Sequence, residues 1–354
     1  MVLFLVTLFF LGMVAANAVL WPRLKPGSQS QAEPISVLIP ARNEEGRLPA
    51  CLEAALAQPG VVEVIICDDQ SEDRTAEVVE RFALQDERIR LIRPGPPPQG
   101  WCGKPYACQK LAETANSPWL AFLDADAVLA PASLPAIVQA AQQYKVSFLS
   151  CWPGLKMEGA WEKILMPMLN FVVFTLYPAP LALSRKDPSL GLAHGALILA
   201  RRDVYFKVGG HAAVRNELFE DTASARLWRA RGEASLCLDG QDVVSTRMYA
   251  GLGEIWAGFQ KNFFPAFGTR IGFWSFLALH AVAFLGPFLF LAWPAAACVL
   301  AMRALLSARF RHPVWSVFFH PAAELFLLAL GLTSWWRFSH GRGVEWKGRA
   351  YKRA

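Results

Sequence analysis

The sequence predicts an α/β catalytic domain with a mostly parallel sheet, carried on apolar helices at both ends of the chain. Between residues 33 and 270, short apolar runs alternate with stretches of helical periodicity, the pattern of strand–helix–strand units. Apolar stretches of membrane-spanning length flank that region. The composition is intermediate, with 54% hydrophobic and 18% charged residues and a mean hydropathy of +0.28, which excludes disorder and is too apolar for a purely soluble enzyme. A chain of 354 residues has room for one catalytic domain and several membrane helices.

Residues 1–22 carry no charged side chain. At about 1.5 Å per residue they make about 33 Å of helix, enough for a hydrocarbon core of about 30 Å. Ala16-Asn17-Ala18 resembles a signal-peptide cleavage site, but no basic residue precedes the run and Arg23 and Lys25 follow it. An uncleaved anchor with the next domain in the cytosol is expected. Ile35–Ile39, Val61–Cys67, Ile89–Ile92, Trp119–Leu123 and Ala196–Ala200 read as strands. Glu44–Gln58, Glu72–Leu84, Lys104–Asn116 and Thr222–Arg231 read as helices, and Arg93–Gly103 as a loop. Residues 164–184 are apolar but contain Pro167, Pro178 and Pro180. A crossing there would put the acidic motifs on either side of it on opposite bilayer faces, so an interfacial or re-entrant segment is expected. Residues 273–336 hold two apolar stretches, Phe273–Met302 and Val314–Trp336, the second broken by His320 and Glu324. Two spans are expected there, returning a basic tail over 337–354 to the cytosol; three spans, with the first stretch folding back around Gly286-Pro287, would leave that tail outside.

That tail holds six Lys/Arg against one Glu, out of a net charge of +6. Positive charge gathered beside an apolar stretch suits a membrane surface, and nucleic acid is not expected as a partner. The seven cysteines form no CxxC pair, so neither a disulfide framework nor a zinc site is indicated.

In open sheets of this kind ligands sit beyond the carboxyl ends of the strands, and there the polar residues fall. The first strand runs into Pro40-Ala41-Arg42-Asn43-Glu44-Glu45, the second into Asp68-Asp69, the fourth into Asp124-Ala125-Asp126. Taken singly, each acid could be a helix cap. Carboxylates at i and i+2 leaving a strand point to the same side and repel unless a cation is near, which suits Mg²⁺ or Mn²⁺ completed by substrate phosphates. Neither GxGxxG nor GxxxxGK[ST] is present. Lys104, after the Gly100-Trp101-Cys102-Gly103 turn, is placed to meet a diphosphate. Downstream, Glu220-Asp221 follows Leu218-Phe219 at a helix start, and transfer onto a hydroxyl needs a base near the sugar carbon. Asp221 is the candidate, with Glu220 beside it. His194, before Gly195, is a candidate for the acceptor cleft. Membrane interfaces account for tryptophans such as Trp21, Trp274, Trp335 and Trp336, and Trp101 is the exception to test.

The order PARNEE, CDDQSEDRT, GWCGKPYA, FLDADAVL, GGH and FED resembles the family 2 inverting glycosyltransferases with a GT-A fold, a Rossmann-like domain with a mostly parallel sheet. GWCGKPYACQ, WAGFQKNFF and VEWKGRAY are similar to bacterial carotenoid glycosyltransferases of the staphyloxanthin pathway and to hopanoid-associated glycosyltransferases. Ceramide glucosyltransferases are more distant. The resemblance implies that Asp69, or its neighbour Asp68, meets the uracil of a UDP-sugar, with Pro40, Arg42 and Glu44 lining the nucleotide pocket. It implies that Asp124 contacts ribose or diphosphate, that Asp126 ligates the metal, and that Asp221 deprotonates the acceptor. Processive members carry QxxRW after the base. Here that region reads Gln260-Lys261-Asn262-Phe263-Phe264, which implies a single transfer, with Lys261 in place of the missing cation.

The expected function is therefore transfer of one hexose, from UDP-glucose for preference, to a carotenoid, terpenoid or similar membrane lipid. The expected enzyme is multi-pass in the cell membrane with its catalytic domain facing the cytoplasm. A ceramide, diacylglycerol or hopanoid acceptor is the alternative within this chemistry. A metal-dependent phosphohydrolase of lipid or nucleotide diphosphates is the alternative outside it, and a non-catalytic scaffold would have no use for the acidic set.

Overall fold

Aliphatic and β-branched residues fill the first strand, β1 (Ile35–Ala41), and the second, β2 (Val61–Asp68), so both are buried on their two faces, as strands covered by helices must be. β3 (Ile89–Ile92) and β4 (Trp119–Leu123) follow, then β5 (Ala127–Leu129), β6 (Phe148–Trp152), β7 (Gly154–Leu155), β8 (Leu197–Arg201), β9 (Ser235–Asp239) and β10 (Val244–Thr246). The computed structural model describes residues 1–27, 33–342, 344–346 and 349–351, with side chains as far as 342. The side chains of most of the expected basic tail thus lie outside the described residues. Two compact units emerge, Pro22–Lys156 with Ala182–Met248, and Met1–Trp21 with Met157–Leu181 and Tyr249–Ala354.

In the first unit the central sheet has the order β3-β2-β1-β4-β8-β6-β9. β3, β2, β1 and β4 pair in parallel, β8 runs antiparallel to both neighbours, and β6 and β9 are again parallel. The chain moves outward from β1 to β2 and β3, then returns to place β4 on the other side of β1. The loops leaving β1 and β4 therefore diverge, which opens a crevice at the strands' carboxyl ends. A smaller sheet, β5-β10-β7, begins directly after Asp124-Ala125-Asp126. Two apolar clusters fill the faces of the large sheet, one around Val37, Ile39, Val64 and Leu149, the other around Leu38, Ile65, Leu111 and Trp228.

The strands fall where the apolar runs placed them, within two residues. Two helices start later than expected. The helix expected from Glu44 begins at Leu48, and the one expected from Glu72 begins at Thr75. In both cases the polar residues ahead of the helix are spent on a loop that ties the two strand ends together.

The second unit is helical. Asn17, 1% exposed in helix Val2–Leu20, donates to Phe174 O (2.8 Å) and Tyr177 O (2.7 Å) and accepts from Ala179 N (3.0 Å). A polar residue inside an apolar run thus satisfies the end of another helix. The prolines of 164–184 cut that run into Ala160–Leu165, Pro167–Leu176 and Ala179–Ser184. Phe273–Met302 is not one helix. It stops at Leu289, turns with Leu291 at φ +52°, and resumes as Trp293–Phe310, so the break lies past Gly286-Pro287. Among the described residues, three segments, Val2–Leu20, Arg270–Leu289 and Val314–Ser339, are long and apolar enough to cross a membrane. Helix Gly251–Phe263 packs on His320–Ser339: Gln260 Nε2 donates to Thr333 Oγ1 (3.0 Å), and Ser334 Oγ donates to Gln260 O (2.7 Å). Within this unit His280, His320, Glu324 and Arg303 are at most 2% exposed. His280 Nδ1 and Glu324 Oε2 are 3.0 Å apart, and His320 Nε2 is 3.6 Å from Glu324 Oε1.

Candidate active site

The loops after β1 and β2 are laced to each other. Arg42 Nη1 donates to Asp69 O (2.7 Å) and Gln70 O (2.8 Å), Asn43 N to Ser71 Oγ (3.0 Å), and Glu44 N to Thr75 Oγ1 (2.8 Å). Asn43 and Gln70 sit at φ +53° and +60°, left-handed conformations that these links hold in place. Asp68 Oδ1 accepts from Ser71 N (2.9 Å), and its other oxygen is 3.6 Å from Arg93 Nε. Asp68 therefore closes the turn, while Asp69, 7% exposed, is anchored by its backbone N–H on Ala41 O (2.8 Å). Pro40, one residue before the end of β1, is half-buried and pairs with Cys67 of β2.

A second group gathers where β4 ends. Lys104 is the second residue of helix Gly103–Thr114, and its Nζ lies 2.7 Å from Asp124 Oδ1 and 2.9 Å from Glu220 Oε1. Glu220 and Asp221 open helix Glu220–Ala230, where the helix dipole favours acids. Asp221 Oδ2 accepts from Gly195 N (3.0 Å) and Oδ1 from Thr222 N (2.6 Å). Thr222 Oγ1 holds the strand approach from below by donating to Ala193 O (3.1 Å) and accepting from Ala193 N (3.3 Å). Ser150 Oγ makes the matching pair with His194 N (2.9 Å) and O (3.1 Å). The fit leaves no space at Gly195, where a Cβ would meet Lys104 Nζ at 2.7 Å and Asp124 Oδ2 at 2.9 Å.

Burial and unmatched negative charge set the titration of this cleft. Burial, then the charges of Asp124 and Glu44, push Asp126 up to about 7. Burial and the neighbouring Glu220 push Asp221 up to about 7, against the pull of Lys104. Burial works against the charge on Lys104, yet Asp124 and Glu220 overcome it and hold the ammonium well above the usual lysine range. Burial lowers His194 to about 4 and His211 to about 3, so both rings are neutral.

Among the described residues, no group of three or more His, Cys, Asp or Glu side chains is arranged to hold a metal unaided. Asp126 with Asp124 is instead an oxygen-only pair in which like charges already raise one pKa. Mg²⁺ and Mn²⁺ are typically bound by one or two carboxylates and completed by phosphates and water. The pair fits such an ion.

The structure thus brings together Lys104, Asp124, Glu220 and Asp221, and separately laces Pro40, Arg42, Glu44, Asp68 and Asp69 into neighbouring strand ends. Trp101 is half-buried against Tyr106, with ring centroids 5.6 Å apart. The His194 ring accepts from Ala196 N through Nδ1 (3.1 Å) and stands edge-on to Trp152 at 5.2 Å. Gln260 and Lys261 belong to the helical unit, where Gln260 is 7% exposed and bonded to Thr333. His211, in the Gly-Gly-His turn, pairs with the Tyr205 hydroxyl (2.8 Å) and packs on Phe122. Gly195, Thr222 and Ser150 were not among the expected site residues. A His-Gly step directly ahead of a buried strand was the one sequence signal for Gly195.

Residues 36–209 match the family described as "Glycosyl transferase family 2". The chain carries a family 2 glycosyl transferase domain. It is 33% identical over 232 residues to the 4,4'-diaponeurosporenoate glycosyltransferase of Staphylococcus haemolyticus, covering 64% of this chain and 60% of the length of that relative. The Staphylococcus aureus (strain USA300) protein of the same name is 24% identical over 349 residues, 90% of this chain and 88% of that one. Among solved structures, a mannosyltransferase from Pyrobaculum calidifontis in complex with GDP-Man and Mn²⁺ has a TM-score of 0.58 at 18% identity, covering 95% of this chain and 96% of the other. At that identity the likeness shows the fold, a GT-A-like α/β domain with a mostly parallel central sheet and additional apolar helices. The family and fold class expected from the acidic motifs are borne out.

Proposed function

We propose that this family 2 glycosyltransferase moves one hexose from a nucleotide sugar, UDP-glucose for preference, to a carotenoid or related terpenoid lipid in the cell membrane. The observation that carries the reading is the convergence of Lys104, Asp124, Glu220 and Asp221 from three separate segments onto one cleft at the end of β4. The two staphylococcal relatives, named for a carotenoid substrate, support the acceptor class. The Pyrobaculum mannosyltransferase complex with GDP-Man and Mn²⁺ is in keeping with a metal-assisted nucleotide-sugar donor.

In this mechanism Asp69 and Arg42 meet the nucleotide base and its surroundings, with Pro40 and Glu44 lining that pocket. Asp124 faces ribose or diphosphate. Asp126 would hold Mg²⁺ or Mn²⁺, which would neutralise charge on the leaving diphosphate. Lys104 adds a fixed positive charge to the same task. An acceptor oxygen attacks the anomeric carbon from the face opposite the diphosphate, and the carbon–oxygen bond to the nucleotide breaks with its electron pair. The configuration inverts, and Asp221 takes the hydroxyl proton. Residues 1–22 act as anchor and 273–336 as further spans, with 164–184 at the interface. Arg23 and Lys25 after the first apolar run support a catalytic domain on the cytoplasmic face.

Mass spectrometry of lipids formed from a panel of UDP- and GDP-sugars, in membranes carrying the wild type or Asp221→Asn, tests this. A mono-hexosylated terpenoid made by the wild type is the expected result, with the yield on a hydroxyl acceptor falling sharply in Asp221→Asn. Fast release of free nucleotide and sugar without acceptor would favour a hydrolase and defeat the proposal.

A further inference from the structure

The two acids that open helix Glu220–Ala230 are adjacent in sequence but make different contacts. Glu220 reaches Lys104 Nζ at 2.9 Å, and its side chain is only 9% exposed. Asp221 points its Oδ2 at the Gly195 N–H instead. Lys104 is a compact charge on a flexible four-carbon stem, and ordering that stem is costly. Here two carboxylates remove the freedom: Asp124 at 2.7 Å on one side and Glu220 on the other. Gly195 closes the third side, since a Cβ there would lie 2.7 Å from the ammonium.

The two tethers differ in what happens to them when a donor binds. Asp124 is the acid at the strand end, beside Asp126, where ribose, diphosphate or metal makes demands on it. Glu220 sits on a helix start on the far side of the lysine, almost closed to solvent. We infer that Glu220 is a positioning residue that acts through Lys104, keeping the ammonium aimed at the donor's diphosphate when Asp124 turns to the ligand, and that it is not a second proton acceptor beside Asp221. The inference rests on the proposed nucleotide-sugar site and assigns labour within it: Asp221 to the proton, Glu220 to the lysine.

A double-mutant cycle on the full-length protein tests it, using Glu220→Gln, Lys104→Met and the pair. The two readouts are binding of UDP with Mg²⁺, followed by calorimetry, and steady-state transfer. If Glu220 works through the lysine, the pair is no worse than Lys104→Met alone. The Lys104 change is expected to cost about 100-fold in kcat/KM and the Glu220 change about tenfold, with the second loss vanishing once the lysine is gone. Glu220→Asp, which keeps the charge but withdraws it from Nζ, should lose activity in the wild-type background and not in the Lys104→Met background. This provides the same comparison if the glutamine variant folds poorly. Additive losses would overturn the inference, as would a loss in Glu220→Gln as large as that in Asp221→Asn. A wild type that binds no nucleotide diphosphate would instead bring down the underlying function. Wild-type binding of UDP together with an additive cycle would bring down only the role given to Glu220.

Discussion

Two clusters of ionisable side chains, one in each unit, are built on opposite principles. At the end of β4, Asp124 and Glu220 hold the ammonium of Lys104, with Asp126 and Asp221 as further acids next to them in the chain. Lys104 and Asp124 keep 39% and 27% of their side-chain surface exposed. Among the apolar helices, Glu324 lies between His280 and His320 with no exposure at all, near Arg303 at 2%. The first cluster has more acids than bases and is partly open to solvent. The second has one carboxylate, one guanidinium and two imidazoles, sealed from water. Unmatched charge beside an open cleft is a site waiting for cationic or hydrogen-bonding ligands, whereas matched charge in a closed interior fixes how helices pair.

The largest effect that would sharpen the contrast is at Asp221. Asp221→Asn should lower transfer to a hydroxylated terpenoid by roughly 10³-fold, within the range of a lost general base, while the chain still unfolds cooperatively in detergent. A carboxylate acceptor has no proton to give up, so the same variant should lose far less on a carotenoid acid. Kinetics on the two acceptors measure the difference, and equal losses would remove Asp221 from proton transfer.

The next effect belongs to the other cluster. Glu324→Leu strips His280 and His320 of their partner and should destabilise the helical unit by about 3 kcal/mol, visible as a lowered melting temperature and poor yield. Turnover per folded molecule should hold. Lost turnover at unchanged stability would break the comparison by making the buried cluster functional.

A smaller effect is expected at the metal. Asp126→Asn should reduce kcat/KM about 30-fold, or about 2 kcal/mol, and raise the Mn²⁺ concentration needed for half-maximal rate. Chelation should silence the wild type. Full activity in chelator would dismiss the ion.

How much of this was legible follows from what kind of signal each residue leaves. β1, β2 and β4 are continuous apolar runs and fell where expected, because burial on both faces leaves no polar alternation to misread. Asp124, Asp126, Glu220 and Asp221 could be singled out because acids at strand and helix ends stand out from their surroundings. The starts of the helices after β1 and β2 were misplaced because Arg42, Asn43, Glu44 and Asp73 have helical neighbours in sequence but find hydrogen bonds across 27 or more residues. Gly195 left almost no trace, since its importance lies in the side chain it lacks. The pairing of Glu220 with Lys104 spans 116 positions and has no local pattern at all.

The subtlest expectation concerns pH, where activity and stability should move in opposite directions across one window. Burial and Glu220 lift Asp221 from an ordinary carboxyl to about 7 in the folded chain. A base must be deprotonated to act, so kcat/KM at saturating metal should climb about tenfold per pH unit below 7 and level off above it, reporting the free enzyme. Stability runs the other way. The unfolded carboxyl titrates near 3.8 and the folded one near 7, so between those values the folded state binds the extra proton. Stability contributed by that proton is complete below the lower value and is lost as pH rises through the upper one. Asp221→Asn should flatten both slopes, leaving only what Asp126 adds to the second. Activity and unfolding profiles that rise together through neutrality would mean that the cleft is not short of positive charge, and the contrast between the two clusters would lose its basis.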